Sequence, residues 1–143
     1  MKNIKTSYII IAVIVLFVGG IGFTKYLQGS DPNVVSRSAF HWHPTLTIYA
    51  KGEKQTIPPN IGIGAVHQPM HTHSEDSAAG VIHLEFGGAA NREDVMLGKF
   101  FKNWGKDMRS FGMNMRMTVN GKENTEFENY VMHDKDVIEL HYD

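Results

Sequence analysis

Nothing charged stands between Thr6 and Thr24, and that gap leaves the first part of the chain very few fates. The run SYIIIAVIVLFVGGIGF inside it is 17 residues long, the shortest length at which an α-helix crosses the hydrocarbon core of a bilayer. Lys2, Lys5 and the amino terminus precede the run, and only Lys25 follows it closely. This bias predicts a cytoplasmic N-terminus and an extracytoplasmic remainder. A cleaved signal peptide would share the basic start and the apolar run. No small-x-small site ending in Ala follows, however, and no cysteine offers a lipoprotein attachment point. A retained, single-pass anchor over residues 1–25 is therefore the expectation.

The stretch YLQGSDPNVVSRSAF has no clear period and carries Gly29, Ser30, Asp31 and Pro32, which predicts a tether over residues 26–39. About a hundred residues are left, residues 40–143, enough for one domain with a modest core. The formal net charge is -1 with no basic stripe, which argues against a nucleic-acid partner. The chain contains no cysteine, so disulfides and thiolate chemistry are excluded. Nitrogen, oxygen and thioether groups must supply whatever chemistry there is.

HWHPTLTIYA alternates, with Trp42, Leu46 and Ile48 on one face and His41, His43, Thr45 and Thr47 on the other, the pattern of a half-buried strand. Lys51 and Gly52 then predict a hairpin turn into EKQTI. IGIGAVHQPMHTHSEDSAAG is rich in turn formers and reads as a long surface loop. GVIHLEF resumes alternation, with Ile82, Leu84 and Phe86 opposed to Val81, His83 and Glu85. Asn91 and Asp94 have the spacing of a helix cap, and Val95, Met96, Phe100 and Trp104 recur at helical spacing up to Gly105. Asn120-Gly121 signals a second hairpin, and VIELHY a last strand. Strands around a single helix, without βαβ alternation, predict an α+β domain with one mixed or antiparallel sheet.

Three pairs at two-residue spacing stand out: His41 with His43, His71 with His73, and His83 with Glu85. In a strand such residues point the same way, so each pair offers two donors from one side of the backbone. Imidazole and carboxylate suit zinc, copper, iron or nickel, and one ion needs three or four such ligands. The candidate metal ligands are His41, His43, His67, His71, His73, His83 and Glu85. A solvated histidine-rich loop would be the plain alternative, but three paired spacings, two of them opposite apolar faces, argue for convergence. His133, in a turn, and His141, beside Glu139, are weaker candidates. Of the methionines, Met113, Met115 and Met117 read as a core stripe continuing into Val119. Met70, next to His71, is a candidate axial ligand for copper.

Taken together, HWHPTLTIYAKGEKQTIPPNIGI, HTH, GVIHLE, LGKFFKNWG and TVNGKENTEFENYVMHDKDVIELHY resemble a group of small, membrane-anchored prokaryotic proteins with paired-histidine motifs, over most of residues 40–143. The resemblance implies that the histidines are a shared feature and that a metal is expected; it supplies no function. The last third is also similar to a β-grasp, or ubiquitin-like, half, in which a VNG hairpin and a terminal strand flank a helix.

Two functional expectations follow. The first is a tethered extracytoplasmic metal-binding protein that captures, buffers or passes on an ion, copper first, then zinc. The second is a small metalloenzyme whose histidines hold an ion with an open water position, with Glu85 or Glu75 as base. No HExxH, nucleophile elbow, phosphate loop or cofactor fingerprint is present, which favours the binding protein. A structural metal site and a proton sensor are the lesser alternatives. No protein partner is indicated.

Overall fold

A computed structural model describes residues 2–29 and 31–143; Met1 and Ser30, and the side chains of residues 2–6 and 28–29, lie outside the described residues. The chain forms two compact units, Met1–Pro32 and Asn33–Asp143. The first contains helix α1, Lys2–Gly29. Within it Ser7–Leu27 are long and apolar enough to cross a membrane, and Leu16 and Phe17 are among its exposed side chains.

The second unit is α+β. Its elements are β1 (Val34–Ser36), β2 (Phe40–Trp42), β3 (Thr45–Ala50), β4 (Glu53–Lys54), β5 (Met70–His71), β6 (His83–Phe86), β7 (Ala90–Asn91), α2 (Leu97–Trp104), β8 (Arg116–Val119), β9 (Lys122–Asn124) and β10 (Val137–Tyr142). The main sheet has five strands in the order β4-β3-β10-β8-β9. Its central pair, β3 and β10, is parallel, and the other pairings are antiparallel. Both expected hairpins are present. Lys51 and Gly52 have φ of 52° and 81°, and Asn120 and Gly121 have 53° and 76°, the doubly positive turn whose twist matches that of paired strands. Val34–Ser36, within the segment expected to be a tether, pair with β7.

HWHPTLTIYA is not one strand. It breaks at His43-Pro44, so that β2 belongs to a separate three-stranded sheet, β2-β6-β5, while β3 joins the main sheet. Pro44 has no N–H to give a ladder. Its carbonyl accepts from Ile82 N–H at 2.9 Å, and the chain re-enters pairing when Thr45 N–H reaches the Asp136 carbonyl at 2.8 Å.

The expected helix is likewise divided. Asp94 accepts from Asn91 N–H at 2.9 Å, but this cap opens a 3₁₀ turn, Arg92–Asp94. The backbone then leaves the helical path because it is bonded elsewhere: Val95 carbonyl accepts from Met132 N–H at 3.1 Å, and Leu97 N–H donates to Tyr130 carbonyl at 2.9 Å. α2 starts only after that bridge and closes at Gly105, in the left-handed region. Leu97, Phe100 and Phe101 are its buried residues, and they join a core with Leu46, Ile48, Met117, Ile138 and Leu140. The methionine stripe is shorter than expected. Met117 is buried, but Met113 is exposed, since β8 begins at Arg116 and Asn114 has φ 50°, which ends the alternation.

A carboxylate is buried where β10 begins. Asp136 Oδ2 accepts from Tyr130 Oη–H and His133 N–H, each at 2.7 Å, and Oδ1 accepts from Asn120 Nδ2–H at 2.9 Å. Burial, then the Asp136 hydrogen bond, pushes the Tyr130 phenol well above its usual range. Burial also pushes Tyr142 up to about 12. Both phenols titrate later folded than unfolded, so their contribution is complete below pH 10 and is lost as the pH rises above it. Denaturant midpoints should fall between pH 9 and pH 11, and the fall should be smaller in Tyr130→Phe. An equal fall in both would assign the loss to other groups.

Candidate metal centre

β6 is the middle strand of the small sheet, so it receives a neighbour on each side. His83 and Glu85 lie two residues apart on it and share a face. β2 places His41 opposite Glu85, and β5 places His71 opposite His83. The alternating positions Leu84 and Met70 lie in the hydrophobic core, with Trp42 packed against it. The small sheet therefore has an apolar underside and a donor-bearing face.

The segment expected to be a surface loop is pinned over part of its length. Asn60 N–H donates to the Thr72 carbonyl at 2.9 Å and Thr72 N–H to the Ile61 carbonyl at 3.1 Å. Thr72 Oγ1–H donates to the Pro58 carbonyl at 2.9 Å, and Asn103 Nδ2–H to the Met70 carbonyl at 2.9 Å. Met70, His71 and Thr72 are consequently buried. Met70 is a core side chain, which corrects the expectation of an axial ligand.

His41 Nε2 lies 2.8 Å from Glu85 Oε1 and 3.4 Å from His83 Nδ1. His71 Nε2 lies 3.1 Å from His73 Nε2 and 4.0 Å from Glu85 Oε1. His83 Nδ1 is 3.9 Å from the same Glu85 oxygen. Two sets of potential ligand atoms gather within 4.8 Å: His71, His73, His83 and Glu85, and His41, His43 and His83. Ligands at 2.0–2.1 Å from a tetrahedral ion stand about 3.4 Å apart, close to the nitrogen separations here.

Hydrogen bonds fix which nitrogens are free. His71 Nδ1–H donates to the Gln68 carbonyl at 3.0 Å, so its Nε2 carries the lone pair. His83 Nε2–H donates to Asp76 Oδ2 at 2.7 Å, so its lone pair is on Nδ1. An imidazole whose far nitrogen is held by a carboxylate or carbonyl is the usual arrangement of a metal ligand. Burial lowers the His71 pKa, opposed by the Gln68 carbonyl and assisted by His67 and His73; burial, then His41 and His83, lowers that of His43. Both shifts favour the neutral ring, the form that binds metal.

Six of the seven expected ligands enter these sets. His67 does not; it is exposed and meets the His71 ring edge-on at 4.3 Å. Glu75 is exposed and belongs to neither set. His133 stacks on Trp42, and His141 stacks on Tyr49 within 3.5 Å of Glu139. Asp76 is not among the expected site residues, yet it orients His83; its Oδ1 is buried without a hydrogen-bond partner. Asp134 Oδ1 accepts from His43 N–H at 2.9 Å and steadies the strand break. Neither contact has a local sequence signal, for each joins residues that only the fold makes neighbours. No protein-family model matches the chain, and no curated protein or solved structure matches it.

Proposed function

We propose that the protein is a membrane-tethered metal-binding protein that captures a divalent transition-metal ion on the histidine and glutamate side chains of the small sheet. One observation carries this reading. The buried rings of His71 and His83 each commit one nitrogen to a fixed partner, and their free nitrogens stand 4.0 and 3.9 Å from the same oxygen of Glu85. Imidazole and carboxylate without sulfur suit cupric copper first, by the general order of stability, then zinc, with iron third. Ser7–Leu27 support the anchor, and Lys2 and Lys5 before it support a cytoplasmic N-terminus with the domain outside. The parallel central pair flanked by antiparallel strands favours a β-grasp reading of the main sheet.

Elemental analysis of the full chain, purified in detergent without a metal-affinity step, is expected to find one tightly held ion. Absence of any bound ion after titration with copper and zinc would refute the proposal. Asp76→Asn should weaken binding by about 10- to 100-fold, because it removes the charge behind His83; an unchanged affinity in competition with a chelator would exclude that role. A metal-activated water is the second reading, favoured by the exposure of Glu85, whose side chain is 42% open to solvent beside the histidines. Under it, the loaded chain would hydrolyse an activated ester with a rate rising near pH 7.

A further inference from the structure

The two donor sets share His83, and that ring has one nitrogen to give. Its Nε2 is bonded to Asp76 at 2.7 Å, which leaves Nδ1 alone facing the other imidazoles. One lone pair binds one ion, so the two sets cannot both be filled through His83. Their imidazoles also differ in depth. His71 is 1% exposed, whereas the His41 side chain is 50% exposed; Glu85, in the same set as His71, has a side chain 42% exposed and is open to solvent.

Resting on the metal-site reading above, we propose that the cluster is two overlapping seats for a single ion: an outer seat of His41, His43 and His83, and an inner seat of His71, His73, His83 and Glu85. The ion is received at the outer seat and passes to the inner one while His83 Nδ1 stays bound. The exchange replaces His41 and His43 by His71, His73 and Glu85 one ligand at a time. An ion leaving the inner seat by this route never surrenders all its protein ligands to water together, so the barrier in both directions is lowered. The seats lie close enough for this. The free nitrogen of His83 is 3.4 Å from His41 Nε2, and that nitrogen is 2.8 Å from Glu85 Oε1, which belongs to the inner set. The His43 ring stands 4.9 Å and the His73 ring 4.6 Å from the His83 ring, both edge-on, and the strands that precede them, β2 and β5, flank β6. His83 is thus the pivot between an exposed pair and a deeper pair.

The test compares the full chain with its His41→Asn/His43→Asn double variant, both in detergent micelles and stripped of metal. Zinc is the probe, and a weak chelating dye follows its transfer. Both proteins should hold one zinc per chain at saturation. In the variant the rates of taking zinc from the dye and of giving it back should both fall by about tenfold or more, a rise of about 1.4 kcal/mol in the barrier, while affinity changes much less. His41→Ala/His43→Ala should behave the same way, since the imidazoles and not the local fold carry the effect. Unchanged rates, a lost affinity with an unchanged uptake rate, or two zinc ions per chain would each overturn the two-seat proposal while leaving the metal site standing. Failure of the unaltered chain to bind zinc or copper would overturn the metal site itself, and this proposal with it.

Discussion

Replacement of His83 by glutamine is expected to abolish metal binding, whereas no other single replacement in the cluster should do so completely. The reason is positional. His83 is the one residue common to both donor sets, and it lies on the strand that both flanking strands pair with. Glutamine retains an amide N–H for Asp76 Oδ2 but lacks the nitrogen that faces the other ligands. The affinity loss should exceed the roughly 100-fold that limits the effect of an outer-sphere partner. Chelator competition measures the loss, and circular dichroism should report an unchanged fold. If His83→Gln bound an ion as tightly as the unaltered chain, the site would have to be built elsewhere. His71 is a less clean choice, because it is 1% exposed and packed beside core residues.

The second large effect concerns the join between the two sheets. Gly80 has φ +82°, and a Cβ placed on it would lie 2.1 Å from the Leu46 carbonyl oxygen. That approach is built in, because Leu46 N–H donates to the Gly80 carbonyl at 2.8 Å and Thr45 bridges to Val81. Gly80→Ala combines a left-handed backbone with a backbone clash that no side-chain rotation relieves. Destabilisation by about 3 kcal/mol or more is expected, with loss of metal binding, since β6 begins three residues later. Gly105→Ala is the comparison. Its φ is +70°, but a Cβ there meets nothing within 4 Å, so the cost should be about 1 kcal/mol. Equal midpoint shifts in the two variants would show that φ alone matters and that the sheets are not held at Gly80.

Much of the local architecture was legible because it depends on neighbours in sequence. The two positive-φ pairs at Lys51-Gly52 and Asn120-Gly121, the alternation of Ile82 to Phe86, and the apolar run from Ser7 are all short-range patterns with short-range causes. The donor pairs were legible as two-residue spacings, but only His83 with Glu85 lies within one strand; His43 and His73 stand just past the ends of β2 and β5, so strand alternation does not set their direction. Where the reading failed, a distant bond had overruled local preference. Tyr130 and Met132 hold the backbone at Val95 to Leu97 out of the helix, and bonds to residues 58 to 61 and to Asn103 turn part of an apparent loop into buried structure.

The sequence by itself determined that an apolar helix precedes an α+β unit and that three donor pairs exist, because the length of the apolar run, turn dihedrals and strand alternation are set within a few residues. Only the tertiary structure decided that the pairs meet. His41, His71 and His83 are brought together by pairing β2 and β5 on either side of β6, after Pro44 has released β2 from the main sheet. It also decided which nitrogens are free, since the Gln68 carbonyl and Asp76 hold the far sides of two rings. Strand pairing and hydrogen-bond satisfaction act between residues that are neighbours only once the chain has folded, so no spacing along the chain encodes them.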